Sequence, residues 1–249
     1  MKIVAIGGGE IGRPGYPVET KTIDKEIVSL TGKKSPRVLY LPTASGDSQM
    51  YWDTFSKYYG KKLGCQTEPL YLLKAKYTKR QIKEKIIHSD IIYVGGGNTL
   101  RMLKRWRKLG VDEILTKAGK NGTVLSGLSA GANCWFKYGN SDSLKFGKSK
   151  SKQLIRVRGL GLINLMICPH YIVEKNRRPS LKKMIKEKGG ISIALTDCSA
   201  IEIIDDTYRI ITSSKEAKAY RLYKKNKKVI EEELTPEAAF RPLNELLKK

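Results

Sequence analysis

Histidine and acid are both scarce in this chain. Two histidines, His88 and His170, and four cysteines, Cys65, Cys134, Cys168 and Cys198, occur in 249 residues. None of the cysteines forms a C-x-x-C pair, which excludes a zinc ribbon and a redox dithiol. With so few imidazoles a zinc site is not expected either, and neither a metal nor an organic cofactor is called for. The thiols are expected to be reduced and mostly buried. No apolar run reaches the roughly 18 residues that a membrane-spanning helix needs. The opening Met1-Lys2-Ile3-Val4-Ala5-Ile6 reads as a strand leading into glycines, without the apolar length and small-residue cleavage site of a signal peptide. Together these absences predict a cytoplasmic protein. Repeats and low-complexity linkers are also missing, so residues 1–249 are expected to form one domain.

The 24 acidic residues face 48 basic ones, giving a net charge of +24. A polyanion partner would be one explanation. The charge is spread along the chain, however, at Lys61-Lys62, Lys79-Arg80, Lys104-Arg105, Lys182-Lys183 and Lys224-Lys225. No RNA-binding aromatic signature, zinc finger or basic tail accompanies it. Solvated lysine faces are therefore the expectation, with nucleic acid not expected as a partner and acidic ligands favoured by long-range attraction. A homodimer is compatible with this reading.

β-branched apolar runs alternate with amphipathic stretches. The pattern predicts strands at 2–7, 37–41, 67–72, 90–94, 123–126, 165–168, 192–195, 200–204, 208–211 and 219–222. It predicts helices at 20–29, 49–63, 78–88, 99–109, 111–118, 130–136, 178–188 and 236–247. The early strands are continuously apolar, as in a sheet covered on both faces. The expected fold is α/β: a three-layer α/β/α arrangement around a mostly parallel, doubly wound sheet, with antiparallel hairpins from 192 to 222 on one edge. Asp205-Asp206-Thr207 is the expected turn of one hairpin. In such sheets ligands bind beyond the C-terminal strand ends.

Gly127-Leu128-Ser129-Ala130-Gly131 lies at one such end. Strand, sharp turn and helix, with Ser between glycines at both second neighbours, is the nucleophile-elbow pattern. The strained turn lifts the Ser oxygen clear, and the following helix start offers the N–H of Ala130 to an oxyanion. A second turn, Gly95-Gly96-Gly97-Asn98-Thr99, follows the strand Ile91-Ile92-Tyr93-Val94. Its bland reading is a helix cap by Asn98 or Thr99. Its functional reading is the other half of an oxyanion hole, from the N–H of Gly96 or Gly97. Gly7-Gly8-Gly9-Glu10-Ile11-Gly12 satisfies G-x-G-x-x-G, but the second strand ends Leu41-Pro42-Thr43-Ala44-Ser45 without the acid that a dinucleotide ribose needs. A tight turn at the floor of a crevice is the better reading.

An activated serine needs a base. His88 ends a Lys-rich helix, so His170, in Cys168-Pro169-His170-Tyr171, is the partner by elimination. Asp197, after a strand end, is the leading third member. Glu202, Asp142 and Glu174 remain open as alternatives. A Ser–Lys pair fits poorly: Ala132 stands three residues after Ser129, and the Ser149-x-x-Lys152 match falls in a polar loop without an elbow. Arg177-Arg178-Pro179 follows His170 by one short loop and could clamp a substrate carboxylate. Asn98, Arg177 and Arg178 are thus the candidate substrate-binding residues.

The ordered set of Gly7-Gly8-Gly9, Leu41-Pro42-Thr43-Ala44, Val94-Gly95-Gly96-Gly97-Asn98-Thr99, Gly127-Leu128-Ser129-Ala130-Gly131-Ala132 and Pro169-His170-Tyr171 resembles the peptidase E family. These are serine peptidases on the class I glutamine amidotransferase-like fold. The resemblance implies Ser129 as nucleophile, His170 as base and Asp197 as third member. It implies a short peptide as substrate, with cleavage after an N-terminal Asp as the finer expectation. In the family's dipeptidases an Arg after the His binds the Asp side chain, which falls on the region of Arg177 and Arg178. Amidotransferase relatives carry Cys at the elbow, and this chain has Ser. A ligand-binding module on the same fold, or a hydrolase of a non-peptide substrate, is the alternative.

Overall fold

Successive strand residues face opposite ways, and in this chain that alternation separates two cores across one sheet. The computed structural model describes residues 1–147 and 150–248, so Ser149 of the Ser149-x-x-Lys152 match lies outside the described residues. In chain order the first half runs β1 (Lys2–Ile6), α1 (Lys21–Ser29), β2 (Arg37–Leu41), α2 (Gln49–Phe55), β3 (Gln66–Pro69), α3 (Lys79–Ile87), β4 (Ile91–Val94), α4 (Thr99–Leu109), α5 (Val111–Lys120), β5 (Val124–Leu128) and α6 (Ala130–Asn133). The second half runs β6 (Phe136–Ser141), β7 (Ile155–Arg158), β8 (Ile163–Cys168), α7 (Arg177–Lys188), β9 (Ile191–Leu195), β10 (Ser199–Ile204), β11 (Thr207–Thr212), β12 (Ala219–Lys225), β13 (Lys228–Leu234) and β14 (Arg241–Pro242).

The larger sheet has the order β14-β11-β10-β1-β5-β4-β2-β3. It is parallel from β3 to β1 and antiparallel through β10, β11 and β14. On one face Val4, Ile6, Val38, Tyr40, Ile91 and Tyr93 pack on Ile23 and Ile27 of α1 and on Phe55 and Tyr59. On the other, Ile3, Ala5, Leu39, Leu41, Ile92 and Val94 meet Ile82, Met102, Trp106 and Leu115 of α3–α5. This is the doubly wound α/β/α arrangement that the apolar runs imply. A smaller sheet, β13-β12-β9-β8-β6-β7, adds to it. Its Leu165, Ile167, Ile193 and Leu195 join the core under α3–α5. Its opposite face buries Met166, Cys168 and Ala194 against Leu181 and Ile185 of α7.

Several expectations change. The late hairpins do not share one edge. β10 and β11 form the edge hairpin about Asp205-Asp206, whereas β9 and β12 belong to the smaller sheet. The helix expected at 130–136 stops at Asn133, because the carbonyls of Cys134 and Trp135 accept the N–H groups of Leu160 and Leu162 and draw the chain into β6. The helix expected at 236–247 is absent. Pro242 cannot continue a helical ladder; residues 241–242 pair with β11 instead, and a 3-10 turn at Leu243–Leu247 buries Leu246. The helix expected at 49–63 is α-helical to Phe55 and widens into a π-helix over Ser56–Lys62, which points Tyr58 and Tyr59 inward. No helix among the described residues is long and apolar enough to cross a membrane.

The two-sheet architecture places the candidate residues. β5 of the larger sheet reaches β6 of the smaller through Ser129 and α6. β9 of the smaller sheet reaches β10 of the larger through Thr196-Asp197-Cys198. His170 follows the end of β8. Ser129, His170 and Asp197 therefore each lie where the chain leaves one sheet's end or passes between sheets.

Candidate active site

The C-terminal end of β1 ties three segments together with three consecutive carbonyls. Ile6 accepts the N–H of Ser129 at 3.1 Å, Gly7 that of His170 at 3.2 Å and Gly8 that of Cys198 at 2.9 Å. Each segment bends there with a residue in left-handed backbone space, at φ 57° for Ser129, 54° for His170 and 61° for Cys198. Non-glycine residues rarely adopt such angles, and they persist where the surroundings over-determine them. The side chains are brought together above Gly8. His170 Nδ1 lies 2.6 Å from Asp197 Oδ1. A carboxylate only accepts, so Nδ1 carries the proton and Nε2 is left as the acceptor. A β-carbon at Gly8 would overlap Asp197 Oδ1 and stand 2.5 Å from His170 Nδ1. Gly8 stands at a variable position of the G-x-G-x-x-G match, and it is the close approach of this pair that requires glycine there.

The elbow has its own steric reason. A β-carbon at Gly127 would lie 2.7 Å from the Val94 carbonyl oxygen, and one at Gly131 would overlap that same oxygen. The turn between β5 and α6 can sit this close to β4 only with glycine at both places. Across the gap, Gly96 faces Ser129, with a β-carbon position 3.5 Å from Ser129 Cβ. The N–H groups of Gly96, Gly97 and Ala130 make no hydrogen bond within the described turns and loops. Ala130 is the first residue of α6, whose N–H has no intrahelical acceptor.

Ser129, His170 and Asp197 line one crevice of about 600 Å³. Its walls include Gly95, Gly96, Gly97, Tyr40, Tyr51, Tyr93, Leu128 and Phe146, together with Glu10, Arg13, Glu19 and Arg101. The side chains of Ser129 and His170 do not hydrogen-bond to each other in this structure. Such contacts are often long in ligand-free enzymes and tighten with substrate.

The alternative acids are committed elsewhere. Glu202 is buried on β10 against Arg209 Nε at 2.7 Å, and burial raises its carboxyl above the ordinary range despite that partner. Glu174 pairs with Arg177 at 2.8 Å, and Asp142 pairs with Lys145 and lies 3.7 Å from Arg177. The cysteines offer no rival nucleophile. All four are free thiols, and burial pushes Cys198 up to about 11 and Cys168 up to about 12.

The three expected substrate-binding residues are not among the crevice walls. Asn98 caps α4, accepting the N–H of Arg101 at 3.0 Å and donating to the Ser143 carbonyl at 3.4 Å. Arg177 is 1% exposed; besides its carboxylates it holds the Asn140 carbonyl at 2.8 Å. Arg178 lies on the outer face, 2.9 Å from Glu231. The arginines that do reach the crevice, Arg13 and Arg101, escaped sequence reasoning.

The model of peptidase family S51 matches residues 3–211, so the chain belongs to that family. It is a peptidase of the serine type. It is 37% identical over 225 residues to YgaJ, an uncharacterized peptidase of Bacillus subtilis (strain 168), covering 89% of this chain and 91% of that one. Peptidase E of Streptomyces coelicolor is 24% identical over 148 residues, 55% of this chain and 58% of the relative. The crystal structure of a peptidase from an acI-B1 Actinobacterium superposes with a TM-score of 0.74 at 19% identity, over 97% of this chain and 96% of the other.

Proposed function

We propose that the protein hydrolyses short peptides through a Ser129–His170–Asp197 triad. The observation that carries this reading is the His170–Asp197 pair, held over Gly8 in the same crevice as an elbow serine at φ 57°. Ser129 Oγ attacks the scissile carbonyl carbon while His170 Nε2 removes its proton. The carbonyl π electrons move onto oxygen, and the N–H groups of Ala130 and of Gly96 or Gly97 receive that oxyanion. The C–N bond then breaks, His170 gives its proton to the leaving amine, and Asp197 stabilises the imidazolium in between. Water repeats the sequence on the acyl-enzyme and frees the acid. Burial keeps the cysteines protonated, which favours Ser129 as the attacking atom.

The test is product release from a panel of dipeptides with varied N-terminal residues, for the wild type and Ser129→Ala. Loss of hydrolysis by on the order of a thousandfold or more is expected. Full hydrolysis by Ser129→Ala of every substrate found would sink the reading. Selective cleavage after an N-terminal Asp would add the acidic preference.

A further inference from the structure

Besides Asp197, the crevice walls carry two opposite pairs of charges. Glu10 and Arg13 cancel each other: Arg13 Nε donates to Glu10 Oε2 at 2.7 Å and Nη2 donates to Oε1, while the guanidinium lies 5.2 Å from the Tyr16 ring centre. Glu19 and Arg101 do not meet. Glu19 accepts the N–H of Glu10 at 2.9 Å, and the next residue, Thr20, packs on Gly9. This is the side of Cys198 and Asp197. Arg101 stands on the other side, beside the Gly95–Gly97 turn. Its Nη2 donates at 2.9 Å to the Ala44 carbonyl, which also accepts the N–H of Asn98 at 2.9 Å. The guanidinium lies across Gly46, 3.2 Å from where a β-carbon would be. It is thus tethered to the backbone that borders the nucleophile.

Among the described residues Arg101 has no carboxylate partner, whereas Arg13 and Arg178 each have one and Arg177 has two. One of its five N–H groups is engaged in a side-chain hydrogen bond, so the fork remains open for a planar anion. We propose that Arg101 determines specificity by pairing with a carboxylate of the peptide substrate. The peptide nature of the ligand rests on the serine peptidase reading; the anion recognition rests on the crevice. A carboxylate entering the crevice is repelled by Glu19 and Asp197 on one side and attracted by Arg101 on the other. The carboxylate belongs either to an acidic side chain or to the peptide C-terminus.

The experiment is calorimetric binding at low salt to the full chain carrying Ser129→Ala, so that bound peptides stay intact. The probes are Asp-Leu, Asn-Leu and the C-terminal amide of Asp-Leu. Asp-Leu should bind about tenfold or more tightly than the probe that lacks the recognised carboxylate. Arg101→Gln, added to the same protein, should erase that difference, and Arg101→Lys should retain part of it. Gln preserves helix propensity on this exposed helix face, and the thermal transition of each variant checks folding. The probe that loses affinity identifies the source: Asn-Leu for a side chain, the amide for the C-terminus. Equal binding of all three probes, binding of none, or discrimination that survives Arg101→Gln overturns the proposal. Discrimination by Arg101 without Ser129-dependent hydrolysis would instead overturn the peptidase reading and leave the anion site standing.

Discussion

Arg177 and Arg101 are two arginines with opposite fates in this fold. Arg177 follows His170 closely in sequence, yet it is 1% exposed and holds Glu174, Asp142 and the Asn140 carbonyl. Glu174 in turn donates its N–H to the His170 carbonyl at 3.2 Å. Arg177 therefore braces the His170 loop against the end of β6. Arg101 is nearly thirty residues before Ser129, keeps its charge without a carboxylate among the described residues, and faces the crevice. Nearness in sequence to a catalytic residue says little about which cation a substrate meets. What matters is whether the fold has already neutralised it.

The largest effect that tests this contrast is on stability. Removing a buried guanidinium strands its partners, and breaking such pairs costs about 3–5 kcal/mol. Arg177→Met is expected to lower Tm by on the order of 10 °C in a thermal melt. The protein that remains folded should keep the wild-type ratio of kcat/KM between acidic and neutral peptides. An unchanged Tm with a selective rise of KM for acidic peptides would reverse the roles given to Arg177 and Arg101.

Much of this site is legible in the sequence, because strand ends and glycine spacing announce backbone geometry. Ser129 between Gly127 and Gly131, His170 after an apolar strand and Asp197 after another are positions of that kind. The smaller sheet is less legible. β6 is Phe-Lys-Tyr-Gly-Asn-Ser and β13 carries Glu231, Glu232 and Glu233, so neither shows an apolar run. Which sheet a strand such as β9 joins depends on partners far along the chain. Side-chain partners are harder still. Nothing in Arg177-Arg178 distinguishes a fully buried hub from a cation at the surface, and nothing in Thr99-Leu100-Arg101 marks an arginine turned toward a cavity. Both follow from where the carboxylates of other elements come to lie.

A buried acid without a cation sharpens the same contrast. Asp24 of α1 is fully buried and meets only hydroxyls, accepting from Thr20 Oγ1 at 2.7 Å and Tyr59 at 2.6 Å. Burial outweighs these bonds and raises its carboxyl from 3.8 to about 6. The folded chain therefore holds a proton that the unfolded chain has released between roughly pH 4 and 6. Stability falls as pH rises through that window, by about 3 kcal/mol once both states are ionised. Asp24→Asn keeps an acceptor for Tyr59, and the Thr20 hydroxyl can turn to accept from the amide. Denaturant titrations should show a variant that gains on the wild type between pH 4 and pH 7. A difference that stays constant with pH would mean that Asp24 remains ionised throughout.

The smallest effect belongs to Arg178, the second arginine of the pair beside His170. Its side chain is 55% exposed, and Glu231 keeps Lys182 at 2.6 Å and the Tyr171 hydroxyl at 2.8 Å without it. An exposed ion pair of this kind contributes about 0–1 kcal/mol, and here the carboxylate is not left alone. Arg178→Ala is expected to shift stability by less than about 1 kcal/mol and to leave kcat/KM unchanged for acidic and neutral peptides alike. Steady-state kinetics on the peptide panel measures this directly. A selective loss on acidic peptides would show that substrates reach the outer face of α7, and the contrast between engaged and open arginines would then have to be redrawn around Glu231.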